Sequence, residues 1–214
     1  MAEQHEATQT AERQERRDAR ENRRLLLEVA KRLFAERGVA ATTMKDIAEA
    51  AGVGKGTLYR HFAHKGELCA ALLHEDVTAF RERVGAGIQD TAHEPSPLAR
   101  LDILITERVR MTETHLPLFA AIEEEAGGGG RARPFRGPFA IWSHAQIADL
   151  LGEAITRGEV APLDPGFTAD VIEAALSPML YSYQRHECGY SIDRVVDGLR
   201  RLFVDGLRCR PASG

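Results

Sequence analysis

Residues 42–62, TTMKDIAEAAGVGKGTLYRHF, hold two short runs of helical pattern separated by Gly52 and Val53. Neither run reaches the roughly 12–15 residues at which an isolated helix becomes marginally stable, so both depend on packing and their joint geometry is the product. Thr43 followed three residues later by Asp46 is an N-cap pattern, in which the threonine oxygen accepts from a free amide of the first turn. Met44, Ile47, Ala48 and Ala51 then form a buried side whose small alanines let a second helix approach. Gly52 supplies the left-handed backbone that ends the first run, and Val53 plugs the turn. The second run buries Leu58 and Phe62. Lys55, Gly56, Thr57, Tyr59, Arg60 and His61 are left facing outward, a donor-rich face without a carboxylate.

That face matches a helix-turn-helix, in which one helix braces a second whose exposed side enters the major groove of duplex DNA. There Lys, Arg and Thr reach base edges while phenolic and imidazole groups hold phosphates. Two alternatives explain less. GVGKGT looks superficially like a phosphate loop, but the rule GxxxxGK[ST] requires glycine where Glu49 stands and Ser or Thr where Gly56 stands, and a helix rather than a strand precedes it. An ordinary helical hairpin accounts for the turn and leaves the cationic face unexplained.

Arg23 to about Leu72, with GVAATTMKDIAEAAGVGKGTLYRHFAHKGEL at its centre, resembles the DNA-binding domain of the TetR family of transcriptional regulators. The resemblance implies three N-terminal helices for DNA, a fourth linking to a divergent helical ligand domain, and a homodimer on a palindromic operator. By position in the motif it assigns Thr43, Tyr59, His61 and Lys65 to phosphates, and Lys55, Gly56, Thr57 and Arg60 to the neighbourhood of the bases. One position departs: where the family commonly carries a serine, this chain has Gly54, so a side-chain cap is expected to be missing.

Outward from this centre, the 214 residues are 43% apolar and almost everywhere helical in period. Helices are expected near 21–37, 65–86, 97–114, from Pro117 to about Glu125, and near 138–157, 166–186 and 191–208. Alternating strand patterns are not evident. AGGGGRARPFRGP, residues 126–138, reads as a loop because its glycines and prolines cannot continue a helix. The expected fold is all-α with about nine helices. Residues 1–20 form a flexible arm, 21–64 the helix-turn-helix domain, 65–86 a linking helix and 87–214 a ligand-binding and dimerisation domain. The arm has two readings. Arginines in such an arm can enter a minor groove, yet Glu12, Glu15, Asp18 and Glu21 dilute its charge and suit a frayed extension of the first helix bearing surface charge pairs.

Charge is divided along the chain. Residues 13–65 carry thirteen Lys and Arg against seven Asp and Glu, and residues 66–214 carry fifteen against twenty-two. A cationic end on an acidic protein suits a polyanionic partner, here double-stranded operator DNA. Cys69, Cys188 and Cys209 are too few and too scattered for a disulfide framework, which fits a reducing compartment. With no apolar run of membrane length and no signal-peptide pattern, the expectation is a cytoplasmic protein without a membrane partner.

In the C-terminal part, Met111, Phe119, Trp142, Met179 and Tyr183 are bulky or adaptable side chains, with His115 and His144 as polar companions, and together they suggest a site for a small apolar or aromatic effector. Such residues at helical spacing also serve as plain core. His186 with Cys188 matches no established metal-ligand spacing, and no metal or other cofactor is expected. Val171, Ile172, Leu176 and Leu180, with Val195, Leu199, Leu202 and Phe203, form stripes wider than one core needs, and the resemblance implies that they pair across a twofold axis. The chain lacks GxSxG, HExxH and a glycine fingerprint after a strand, so catalysis is not expected. A ligand-released repressor is the main reading. A helical enzyme or adaptor reusing a DNA-binding scaffold, and a regulator that activates or lacks an effector, are the alternatives; retention on heparin with steep salt dependence separates DNA binders from the rest.

Overall fold

The computed structural model describes residues 2–89, 96–125 and 138–209. Among these are nine α-helices: α1 (Ala2–Arg37), α2 (Met44–Ala51), α3 (Lys55–His61), α4 (Lys65–Gln89), α5 (Pro97–Glu125), α6 (Pro138–Thr156), α7 (Pro165–Ala175), α8 (Pro178–His186) and α9 (Ile192–Arg200). A single π-helical turn, Arg201–Asp205, follows α9. The all-α expectation holds: the only β pairing among the described residues is an isolated antiparallel bridge between Val160 and Arg208. The glycine-rich stretch read as a loop lies, but for Pro138, outside the described residues.

The chain divides into two units. The first takes residues up to His74 together with Pro117–Gly127, and the second takes Glu75–Leu116 and the remainder. In the first, Leu26, Ala30 and Leu33 of α1, Ile47 and Ala48 of α2, Leu58 and Phe62 from α3 and its end, and Leu68, Cys69 and Leu72 of α4 make one core, which Leu118 and Ala121 of α5 complete. Burial pushes the Cys69 thiol up to about 11, so it behaves as a small apolar side chain. Gly66 allows the close approach of α4 to the end of α5, since a Cβ there would lie 2.9 Å from Glu125 Cβ. In the second unit Leu101, Leu104 and Ile105 of α5, Ile147 and Leu151 of α6, Ile172 of α7 and Leu176 just after it are buried.

Four expectations change. Residues 2–20 continue α1 as helix, the extension reading of the arm, because Ala2–Arg37 contains neither Gly nor Pro and carries i,i+4 pairs such as Arg17 Nε to Glu21 Oε1 at 2.9 Å. The two helices expected on either side of Pro117 are one, α5, with Pro117 inside it. A proline in a helix interior costs about 3 kcal/mol, and burial of Leu118 and Ala121 just beyond it offsets that cost. The helix expected over 166–186 is instead two, because Pro178 forces Ser177 into extended backbone, and the Ser177 hydroxyl then caps α8 by accepting from Leu180 N.

The fourth change concerns the residues assigned to pairing between protomers. Ile172, Leu176, Val195 and Leu199 are buried within their own chain, and Phe203 is half-buried, whereas Val171, Leu180 and Leu202 are exposed. Short helices packed on a core carry one inward stripe for that core, and apolar period alone does not say whose core it is.

Candidate functional site

The turn that presents α3 is built from its own residues. Thr43 Oγ1 accepts from Asp46 N at 3.2 Å and donates to Asp46 Oδ2 at 2.7 Å, while Thr43 N donates to Asp46 Oδ2 at 2.8 Å. Both halves of the capping box are therefore present, and hydrogen bonds from Thr43 hold the Asp46 carboxyl below the usual carboxylate range. The Thr43 hydroxyl proton is engaged by this cap, so any phosphate contact there competes with it. Gly52 ends α2 at φ 67, a left-handed conformation that a side chain would strain. Gly54 caps α3 through its carbonyl alone, as the missing serine implied.

Leu58 and Phe62 are fully buried, and this orients everything else on α3. Lys55, Gly56, Tyr59 and Arg60 are exposed, while Thr57, His61 and Lys65 are half-buried at the edge of the same face. Lys65 Nζ reaches Ala40 O at 3.4 Å. Burial, followed by the positive charges of Arg60 and Arg23, holds the His61 imidazole below its ordinary value and favours the neutral ring. Arg23 is a residue that sequence reasoning missed. Its guanidinium lies 4.4 Å from the Phe62 ring centroid, and its Nη1 donates to the His61 carbonyl at 3.3 Å, closing the free end of α3. With Arg23 and His61 38 positions apart, no local pattern announces the contact.

The second unit has a cleft of about 360 Å³ between α4 and α5. Asp76, Ala79, Phe80 and Arg83 line one side, and Glu107, Arg110, Met111, Thr114 and His115 the other. Its rim is charged: Glu107 accepts from Arg83 at 2.7 Å and from Arg110 at 3.0 Å, which holds its carboxyl below the usual range. His115 Nε2 stands 3.7 Å from Asp76 Oδ2. Of the seven residues picked as effector contacts, Met111 and His115 line this cleft. Trp142 stacks on Phe139 and meets the edge of Phe80, itself a lining residue.

The other four lie elsewhere. His144 faces α7, with Nε2 3.2 Å from Asp170 Oδ1 and 3.3 Å from Gly166 O. Met179 and Tyr183 project from α8 and are exposed. Phe119 belongs to the first unit. Size and apolarity made these residues look convergent, but Met179 and Tyr183 point outward from α8, whose buried aromatic is Tyr181. Among the described residues no group of His, Cys, Asp and Glu is arranged to hold a metal ion, and no helix is long and apolar enough to cross a membrane.

Residues 26–72 match the model of the tetR family of bacterial regulatory proteins. An HTH-type transcriptional regulator of Staphylococcus aureus strain USA300 is 46% identical over 192 residues, which span 89% of this chain and 96% of that protein. The chain belongs to the TetR family. It is a DNA-binding transcriptional regulator, as the names of its relatives describe them. Among solved structures, a TetR-family regulator from Pectobacterium atrosepticum superposes with a TM-score of 0.64 at 28% identity, covering 92% of this chain and 98% of that one. AibR, solved with isovaleryl coenzyme A and operator DNA, superposes with a TM-score of 0.58 at 24% identity over 85% of this chain and 98% of that one, a likeness of fold.

Proposed function

We propose that this TetR-family protein is a repressor that binds a palindromic operator as a homodimer and leaves it when a small effector enters the second unit. The observation that carries the DNA-binding half is the exposed, carboxylate-free face of α3, held in place by buried Leu58 and Phe62. In this reading Lys55, Gly56, Thr57 and Arg60 meet base edges, and Tyr59, His61 and Lys65 meet phosphates. Operator duplexes are to be selected from a random-sequence library. Arg60→Ala is then expected to lower the preference for operator over unrelated DNA by about 1–3 kcal/mol, whereas Lys65→Ala weakens both alike and reduces the salt slope by about one. Equal losses on both DNAs from the two variants would overturn the assignment.

His61 adds a pH dependence. Its imidazole is held below the ordinary value in the free protein, and a phosphate beside it would raise that value in the complex. Binding then takes up a proton, so the gain in affinity is fully present below the free-state value and is lost as pH rises through the bound-state value, by at most about tenfold per pH unit. His61→Gln should flatten this part of the profile between pH 8 and pH 6. A wild-type operator affinity that falls on acidification would refute the contact.

For dimerisation we assign the exposed apolar groups of α7, α8 and the π-helical turn: Val171, Leu180 and Leu202, joined by Phe167, Met179 and Tyr183. Leu202→Glu introduces a charge on each side of a twofold seam, and sedimentation at micromolar concentration should show monomers with unchanged helicity. A wild-type protein that is already monomeric would end this reading. The effector half rests on the cleft, where Ala79, Phe80 and Met111 give an apolar floor for an apolar or aromatic body. α4 carries Leu68 and Leu72 in the first unit's core and Phe80 and Arg83 in the cleft, so an effector that shifts α4 changes the spacing of paired α3 helices. Coupling of this kind is typically about 1–3 kcal/mol and reciprocal. AibR, of like fold, was solved with isovaleryl coenzyme A and operator DNA, which is compatible with a small molecule and DNA as the two ligands of this chain.

A further inference from the structure

Arg108 and Glu173 are both buried, and they meet through one contact, Arg108 Nη2 to Glu173 Oε2 at 3.3 Å. A pair serving only to fasten α5 to α7 would be expected to align as a fork with two parallel hydrogen bonds. This one leaves Arg108 Nε and Nη1 and Glu173 Oε1 without a partner, and the buried Ser143 Oγ, one turn along α6 from Phe139, is also unpaired. Native interiors rarely leave such groups unused without a reason.

The spare capacity is complementary, with N–H donors on Arg108, an acceptor on Glu173 and a hydroxyl able to do either. Its surroundings are aromatic. The Arg108 guanidinium lies 4.4 Å from the Phe139 centroid, and Phe139 meets Phe80 edge-on at 5.6 Å. Phe80 also lines the cleft, so the polar group stands one aromatic layer behind it. The pair is already neutral overall. A carboxylate head group would suit Arg108 and repel Glu173, and an ammonium would do the reverse. A carboxamide offers a carbonyl to one and N–H groups to the other without adding charge.

We propose that Arg108 and Glu173, with Ser143, form the polar anchor of the effector site and select an uncharged carboxamide carried on an aromatic or apolar body. The assignment rests on the reading that the second unit houses an effector. Benzamide is the probe, with benzoate and toluene as matched controls, titrated into the full chain and followed by Trp142, its one tryptophan. Benzamide should bind saturably and about tenfold or more tighter than either control, as expected when analogues leave buried polar groups unmatched. In the Arg108→Met/Glu173→Met variant, checked for folding by circular dichroism, the ratio of benzamide to toluene affinity should fall towards one. Ser143→Ala, a milder change, should lower that ratio several-fold and serves if the double variant does not fold. Benzamide binding no tighter than toluene, or a preference that survives these substitutions, overturns the anchor. Operator affinity measured in parallel separates the two readings. Anchor-dependent benzamide binding that leaves operator affinity untouched supports the anchor and removes the inducer, and operator release by toluene or benzoate without a benzamide preference does the opposite.

Discussion

Phe62→Ala is expected to destabilise the first unit by about 3–5 kcal/mol, a large part of the roughly 5–15 kcal/mol that holds a typical domain together. The ring is fully buried where α3 ends, and removing it leaves a cavity against the core that neighbours refill only in part. It also takes away the surface on which the Arg23 guanidinium lies, loosening the hydrogen bond that Arg23 donates to the His61 carbonyl. A seven-residue helix has no stability of its own, so the loss of its far anchor removes the orientation of Tyr59 and Arg60 as well. Urea unfolding by circular dichroism should show the lowered midpoint, and operator binding should fail before the second unit unfolds. Tyr59→Phe on the exposed side is the control, expected within about 0.5 kcal/mol of wild type. A midpoint shift for Phe62→Ala as small as that of the control would show that α3 is held by something else.

Glu173→Ala should cost a similar amount, about 3–5 kcal/mol, for a different reason. The carboxylate is the one anionic partner of the Arg108 guanidinium among the described residues, and burial already pushes that arginine down from its ordinary value. Truncating the partner leaves an uncompensated charge in an apolar interior. Replacing both residues by methionine removes the charge along with its partner and is expected to be neutral or stabilising. Unfolding followed through Trp142 distinguishes the cases, because the single variant must be clearly less stable than the double. The reverse order would mean that water reaches Arg108 and that the pair is not desolvated.

The helix-turn-helix was legible in the sequence because its signals are local. A capping box spans Thr43 to Asp46, a left-handed glycine stands at Gly52, and Leu58 and Phe62 are one helical turn apart. Each is settled within a few residues by backbone geometry. What the sequence hid is what distant parts of the chain decide. Pro117 reads as a stop until Leu118 and Ala121 are seen in the first unit's core. Ile172, Leu176, Val195 and Leu199 have the period of a packing face, and period does not reveal whether the partner is the same chain or another. Arg108 and Glu173 look like ordinary surface charges, since 65 residues separate them and neither carries a local mark of burial. The cleft was no more legible, because it is a property of two helices; of the seven residues proposed for an effector, Met111 and His115 lie on its walls.

The discontinuity of the first unit bears on how such a protein can be recombined. Its core is assembled from residues up to His74 and, after more than forty intervening positions, from Pro117 onward. A chimera that joins residues 1–74 to a foreign effector half would therefore inherit a gap where Leu118 and Ala121 belong, unless the donor brings side chains of matching volume. It would also need, opposite Gly66, a helix backbone able to come as near as the segment at Glu125 does. The DNA-reading part is thus no portable cassette. Under the proposed reading, a new effector specificity is more readily reached by changing residues within the second unit than by exchanging halves of the gene.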